Sequence, residues 1–99
     1  MKMIDIEFKL DWEGRRVVVA VVDSVTSAGI YFHGIHTGST DEQIDSALNY
    51  ILTHFVHEGD REDGTISLQD LKRYFHLVKN QATSAATYSN LRRLMKGAA

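Results

Sequence analysis

Alternating hydrophobic and polar residues in the first third of the chain predict β-strands. Residues 4–12 carry apolar side chains at every second position with charged ones between them, which is the period of a strand buried on one face. After a predicted turn at Glu13-Gly14, residues 17–22 are apolar throughout and rich in valine, which favours a central strand. Residues 30–36 predict a third, weaker strand. The simplest arrangement is an antiparallel meander with residues 17–22 in the middle.

The period changes to that of a helix after residue 38. Ser39 with Glu42, or Thr40 with Gln43, has the spacing of a capping box at the start of a helix. Apolar residues then recur at helical spacing as far as the acidic loop that starts at Gly59. We therefore predict a long first helix that ends before this glycine.

Two further helices are predicted in the last third of the chain. Ser67 is a helix cap, and apolar residues follow it at helical spacing. A third helix is expected over about residues 84–96, with Gly97 ending it. The predicted fold class is therefore α+β: a three-stranded antiparallel β-meander (residues 1–38) followed by two or three helices packed on one face (residues 39–99), in a single domain.

The composition is that of an ordinary globular domain without disulfides. Of the 99 residues, 43% are hydrophobic and 24% are charged, and there is neither cysteine nor proline. The lack of cysteine removes thiolate chemistry and points to a reducing compartment, so we expect a cytoplasmic protein. No apolar run reaches the ~20 residues that span a bilayer, and no membrane partner is expected.

Charge is divided unequally along the chain. Residues 1–66 hold twelve acidic and five basic side chains, whereas residues 67–99 hold one acidic and six basic ones. Such asymmetry indicates a surface that meets another macromolecule. The predicted nucleic-acid contacts lie on the flanks of the last two helices and are Lys72, Lys79, Ser89, Arg92, Arg93 and Lys96.

Two stretches of this basic half, residues 64–71 and 84–94, resemble a helix-turn-helix or winged-helix segment. The resemblance implies that the last helix enters the major groove of DNA, where arginine and lysine would contact phosphates and bases. The alternative is a solvated basic face on two helices that pack on the core. A net charge of −2 opposes general attraction to nucleic acid.

No motif for catalysis or cofactor binding is present, and we expect a protein that is not an enzyme and holds no cofactor or metal. The acidic loop resembles an EF-hand, but Gly59 and Arg61 stand at two positions where calcium needs oxygen ligands. His54 and His57 have the spacing to share a metal on a helix, but the remaining ligands would have to come from elsewhere in the fold.

Two surfaces are candidates for binding a protein. The first joins a strip of aromatic and histidine side chains on the first helix to the acidic loop that follows. Its residues are Tyr50, His54, His57, Glu58, Asp60, Glu62 and Asp63. The second is the sheet face away from the helices, because residues 17–22 are apolar on both sides. Unless Trp12 and the turn residues fold over that face, it predicts a homodimer or a partner interface.

The β-meander, the helix entry at Ser39-Thr40-Asp41-Glu42-Gln43 and the chain length resemble small phage-encoded inhibitors of the anti-CRISPR type. This resemblance implies a cytoplasmic protein that blocks a host nucleoprotein complex by surface contact. An acidic surface could compete with nucleic acid for a basic groove. The predicted function is therefore a non-enzymatic inhibitor that binds a host protein. The alternative is a nucleic-acid-binding regulator that uses the helix-turn-helix-like C-terminal region.

Overall fold

Four strands and three helices make up the part of the chain that the structure describes, residues 4–56, 66–80 and 85–97 of a computed structural model. The strands are β1 (Ile4–Leu10), β2 (Arg16–Asp23), β3 (Gly29–His36) and β4 (Ala85–Thr87). The helices are α1 (Asp41–Phe55), α2 (Leu68–Lys79) and α3 (Tyr88–Gly97). The fold class is α+β, as the sequence predicts.

The sheet is antiparallel throughout and has the strand order β3-β2-β1-β4. β2 lies in its interior, which confirms the predicted meander with the valine-rich strand in the middle. The turn between β1 and β2 is closed by Asp11. Its carbonyl accepts the Gly14 N–H at 3.0 Å, and its carboxylate accepts the Arg15 N–H at 2.8 Å. Gly14 has a φ of 72°, in the left-handed region that favours glycine.

The predicted third helix begins later than expected, because a short strand precedes it. The sequence predicts a helix over about residues 84–96, whereas residues 85–87 form β4 and α3 begins at Tyr88. Two alanines and a threonine carry no strand periodicity, so pairing with β1 decides their conformation. Thr87 caps the helix that follows, since its hydroxyl accepts the Asn90 N–H at 3.3 Å.

The helices cover one face of the sheet, and the core lies between the two layers. Alternate residues of β1 and β2 point into this core, and the helices contribute the apolar stripes predicted from the sequence. The fully buried side chains include Ile6, Phe8, Val17, Val19 and Val21 of the sheet and Leu48, Ile51, Leu71, Phe75 and Val78 of the helices. The predicted packing of the helices on one face is therefore confirmed.

The opposite face of the sheet is less exposed than the sequence predicts. Val18 is half-buried, and Ala20 is only 1% exposed. Ala20 lies directly between Glu7 on β1 and Phe32 on β3, so larger side chains on both neighbouring strands shield it. Trp12 does not fold over this face, because its side chain is 93% exposed. The apolar surface that remains open here is on β3, where Phe32 is 64% exposed.

One carboxylate joins the first strand to the last helix. Asp5 on β1 accepts the backbone N–H of Ser89 at 3.2 Å and also the Ser89 hydroxyl. It lies at the first turn of α3, where a negative charge is stabilised by the helix dipole. The alternation of residues 4–12 predicts a solvated strand face for this aspartate. The tertiary structure makes it the link between residues that are 84 positions apart.

Tyr88, the first residue of α3, fixes this helix to the start of α2. Its hydroxyl donates to the Asp70 carboxylate at 3.2 Å and accepts the Ser67 N–H at 3.3 Å. Its ring packs edge-on against Tyr74, with ring centroids 5.1 Å apart. The residue is 3% exposed, and this burial raises the pKa of Tyr88 to about 12.

We predict that Leu48→Ala lowers the free energy of unfolding by roughly 2–5 kcal/mol, the usual cost of emptying a fully buried site. Phe55→Ala should cost less than truncation of a fully buried phenylalanine, because this ring is only partly buried. Denaturant unfolding followed by circular dichroism measures both. Asn49→Ala, an exposed change in the same helix, should stay within about 0.5 kcal/mol of wild type. Equal losses for Leu48→Ala and Asn49→Ala would mean that another face of α1 is buried.

We also predict that the free energy of unfolding falls as the pH rises from about 10 towards 12. The folded protein keeps the Tyr88 proton up to a pKa of about 12, whereas an unfolded tyrosine releases it near 10. The stabilisation is therefore complete below pH 10 and is lost above it, at roughly 1.4 kcal/mol per pKa unit. Because Tyr88→Phe has no such proton, wild type should lose stability relative to this variant across that range. Parallel pH profiles of unfolding for the two proteins would contradict this prediction.

Candidate interaction surface

α1 is positioned by its N-terminal cap and by its apolar stripe. The Thr40 hydroxyl accepts the Gln43 N–H at 3.2 Å, and the Gln43 side-chain oxygen accepts the Thr40 N–H at 2.9 Å. The Thr40–Gln43 capping box, one of the two predicted, is thus confirmed. With the apolar stripe of α1 buried against the core, Tyr50 and His54 are left on an outer face of the helix, one turn apart.

Tyr50 and His54 form a stacked pair. Their ring centroids are 4.0 Å apart, and the ring planes meet at 24°. The Nδ1 of His54 lies 3.0 Å from the Tyr50 carbonyl oxygen. Because a carbonyl can only accept a hydrogen bond, Nδ1 carries the proton in this contact. The bond fixes the orientation of the imidazole on the surface of α1.

Two residues of β3 and the last residue of α1 extend this pair. Tyr31 stacks on Phe55 with ring centroids 4.6 Å apart and lies 5.8 Å from the Tyr50 ring. His33 stacks on Tyr31 at 6.3 Å, and its Nδ1 lies 3.3 Å from the Tyr31 hydroxyl. We call Tyr31, His33, Tyr50, His54 and Phe55 together the aromatic surface.

The aromatic surface combines two half-buried rings, which pack on the core, with three exposed ones. Tyr31 and Phe55 pack against the core, whereas His33, Tyr50 and His54 are exposed. None of the five is a lysine, an arginine or an acidic residue. Rigid aromatic side chains with polar tips offer a large contact area at a small conformational cost, and they are enriched in the centres of protein interfaces. A surface of this kind is suited to binding another protein.

Two of the predicted partner-binding residues, Tyr50 and His54, belong to this surface. The other predicted residues lie outside the part of the chain that the structure describes, and they are His57, Glu58, Asp60, Glu62 and Asp63. Tyr31, His33 and Phe55 are not among the site residues predicted from the sequence, because a strand and a helix bring them together only in the folded protein. The period of two in β3, which places Tyr31 and His33 on one face, is the one sequence signal that could have found these two residues.

Two of the residues predicted to contact nucleic acid are engaged within the fold. Lys72 Nζ lies 2.9 Å from Asp45 Oδ1 and so joins α2 to α1. This hydrogen bond and the charge of Asp45 raise the pKa of Lys72. Ser89 binds the Asp5 carboxylate. Of the others, Lys79 and Arg92 are half-buried, Arg93 is exposed, and the side chain of Lys96 lies outside the described part.

The connection of α2 and α3 also differs from that of a helix-turn-helix. β4 directly precedes α3 and is hydrogen-bonded to β1. Along the chain, a strand of the sheet therefore separates α2 from α3. The resemblance of residues 64–71 and 84–94 to a DNA-binding segment does not extend to this connection. In the described part of the protein, α3 is instead fixed by Asp5 and Tyr88 to β1 and α2.

Comparison with known proteins assigns no family to the chain. No family model, no curated protein and no solved structure matches it. Within the described residues, no three histidine or acidic side chains come together as a metal site. None of the helices in that part of the chain is long and apolar enough to cross a membrane.

Proposed function

We propose that this protein is not an enzyme and that it acts by binding another protein through the aromatic surface. The observation that carries the proposal is the stacking of Tyr31, Phe55, Tyr50 and His54, in which rings from a strand and a helix form one partly exposed face. Because the core holds Tyr31 and Phe55, little conformational freedom is lost when a partner covers the exposed rings. Anchors of this type supply most of the affinity in protein interfaces.

The charge of residues 1–66 favours a protein over a nucleic acid as the partner. Single-stranded nucleic acid also stacks on aromatic side chains, but its binding sites combine the rings with a positively charged groove. The aromatic surface contains no lysine or arginine, and residues 1–66, which include it, hold twelve acidic against five basic side chains. This excess of negative charge repels phosphates and attracts a partner with a basic surface.

The partner class in this proposal is a host nucleoprotein complex, as the resemblance to anti-CRISPR-type inhibitors implies. Such a complex holds nucleic acid in a basic groove, and an acidic protein can compete for that groove. The aromatic surface would anchor the inhibitor beside the groove, while the acidic residues supply electrostatic attraction. The proposed place of action is the cytoplasm, where such complexes meet their nucleic acid.

We predict that Tyr50→Ala and His54→Ala each weaken binding to the partner complex without unfolding the protein, because both side chains are exposed. The experiment measures binding to a panel of purified CRISPR effector complexes and, in parallel, their guide-directed DNA cleavage. Loss of an anchor residue usually costs about 2 kcal/mol or more, which is about 30-fold in Kd. Asn49→Ala, which changes the exposed neighbour of Tyr50 in the same helix, is the matched control and should bind as wild type does.

Three outcomes would count against the proposal. Full affinity and inhibition in Tyr50→Ala would show that the aromatic surface is not the interface. Binding to none of the complexes would remove the proposed partner class. A shift of random duplex DNA that weakens steeply with salt would support the nucleic-acid alternative. In that case, Arg92→Glu combined with Arg93→Glu should abolish the shift, because these residues belong to the predicted DNA contacts.

A further inference from the structure

β3 is an edge strand whose outer side is open to pairing. It is the first strand in the order β3-β2-β1-β4. The Thr37 N–H donates to the Arg15 carbonyl at 2.8 Å, and hydrogen bonding alternates along an antiparallel pair. After the register shift at Val21/Val22, Tyr31, His33 and Ile35 therefore bond to β2, while the backbone groups of Phe32 and Gly34 point away from the sheet. No described residue pairs with this edge.

The composition of β3 offers none of the usual protection against pairing. Native edge strands are commonly blocked by lysine or other charges, by proline, or by being very short. β3 is eight residues long, and its sequence, GIYFHGIH, contains no proline and no lysine, arginine or acidic residue. A second strand can therefore approach without meeting a fixed charge on β3 itself.

The side chains of β3 complement a second copy of the same strand. Phe32 is 64% exposed on the sheet face away from the helices, and its ring lies over Gly29. Two positions further along the same face, Gly34 has no side chain, and the position that a side chain would take is covered by the Arg16 side chain. A Cβ placed at Gly34 would meet only the flexible Arg16 side chain, at 3.3 Å from its Cδ. Within one strand, an exposed aromatic ring and a glycine covered only by a flexible side chain are thus offset by two residues.

We propose that two copies of the chain pair antiparallel along β3, with the two-fold axis between their His33 residues. This register sets Phe32 of each copy opposite Gly34 of the other. The outward-pointing N–H and C=O groups of these two residues can then bond to each other across the dimer. On pairing, the Phe32 ring turns from Gly29 of its own chain onto the Gly34 of the second copy and lies against the Arg16 side chain there, where a guanidinium next to an aromatic face is stabilising. The product is a continuous eight-stranded sheet.

This dimer goes beyond the proposed function and does not depend on it. In the proposed register both copies keep their helices on the same side of the joined sheet, since directly opposed residues of paired strands share a face. The two aromatic surfaces therefore lie on one side of the dimer. The interface differs from the one predicted from the sequence, because it uses the edge and outer side of β3 and not the valines of β2.

Sedimentation velocity over a range of concentrations at about pH 8, where an ordinary imidazole is neutral, tests the proposal. We expect wild type to dimerise and Phe32→Lys to be monomeric. Gly34→Val should weaken the dimer by about tenfold or more, because it fills the space for Phe32 in two symmetric contacts. Valine favours strands more than glycine does. If the copies paired along β3 without the Phe32–Gly34 contact, Gly34→Val would therefore strengthen the association. Leu94→Lys, at an exposed apolar residue of α3, is the control and should dimerise as wild type does.

The exchange Phe32→Gly with Gly34→Phe tests the register. It restores the ring opposite the glycine only if residues 32 and 34 face each other across the dimer, and we expect it to recover most of the association lost in Gly34→Val. A wild type that stays monomeric at the highest attainable concentration overturns the proposal. This holds even if β3 is found to pair with a strand of a different protein. A dimer unaffected by both Phe32→Lys and Gly34→Val overturns it as well. Should Phe32→Lys unfold, Gly34→Val decides alone, since only a flexible side chain lies near its Cβ.

Discussion

Burial of the inner face of β1 and β2 beneath the helices is the interaction on which the rest of this structure depends. Phe8 of β1 and Phe75 of α2 are completely buried there, and removal of apolar surface from water is the dominant favourable term in folding. The polar contacts at the helix ends determine where the covering layer lies. Asp5 ties α3 to the first strand, and the Tyr88 hydroxyl ties it to the start of α2. The solvent-screened ion pair between Lys72 and Asp45 joins α2 to α1 and adds little to the stability.

The proposed partner interface and the proposed dimer interface both lie at β3, because this strand is at the edge of the region that the helices cover. Only Ile35 of β3 is buried, and the other residues are exposed or half-buried. On the helix side, the C-terminal part of α1 meets the strand through Phe55 and Tyr31 and leaves the neighbouring rings open to solvent. On the other side, Phe32 and Gly34 stand next to an edge with which no strand of the described residues pairs. One strand therefore presents a stacking surface on one side and a pairing surface along its edge.

The features that the sequence by itself determined are those set by interactions between near neighbours. Alternation over residues 4–12, the apolar run over residues 17–22 and the helical spacing of the later segments define three strands and the helices. The Thr40–Gln43 box and the Ser67 cap depend on residues within one turn, so their spacing alone predicts them. The proximity of Tyr50 and His54 follows in the same way from their separation by one helical turn.

The tertiary structure alone decided the features that depend on residues far apart in the chain. β4 forms because β1 offers a free edge, since three residues without periodicity have no local preference strong enough to choose a strand. Shielding of Ala20 depends on the larger residues opposite it on both neighbouring strands. The role of Asp5 depends on where α3 begins. The stack of Tyr31 on Phe55 depends on how α1 crosses β3, and burial of the common core sets that crossing, which no local pattern of residues specifies.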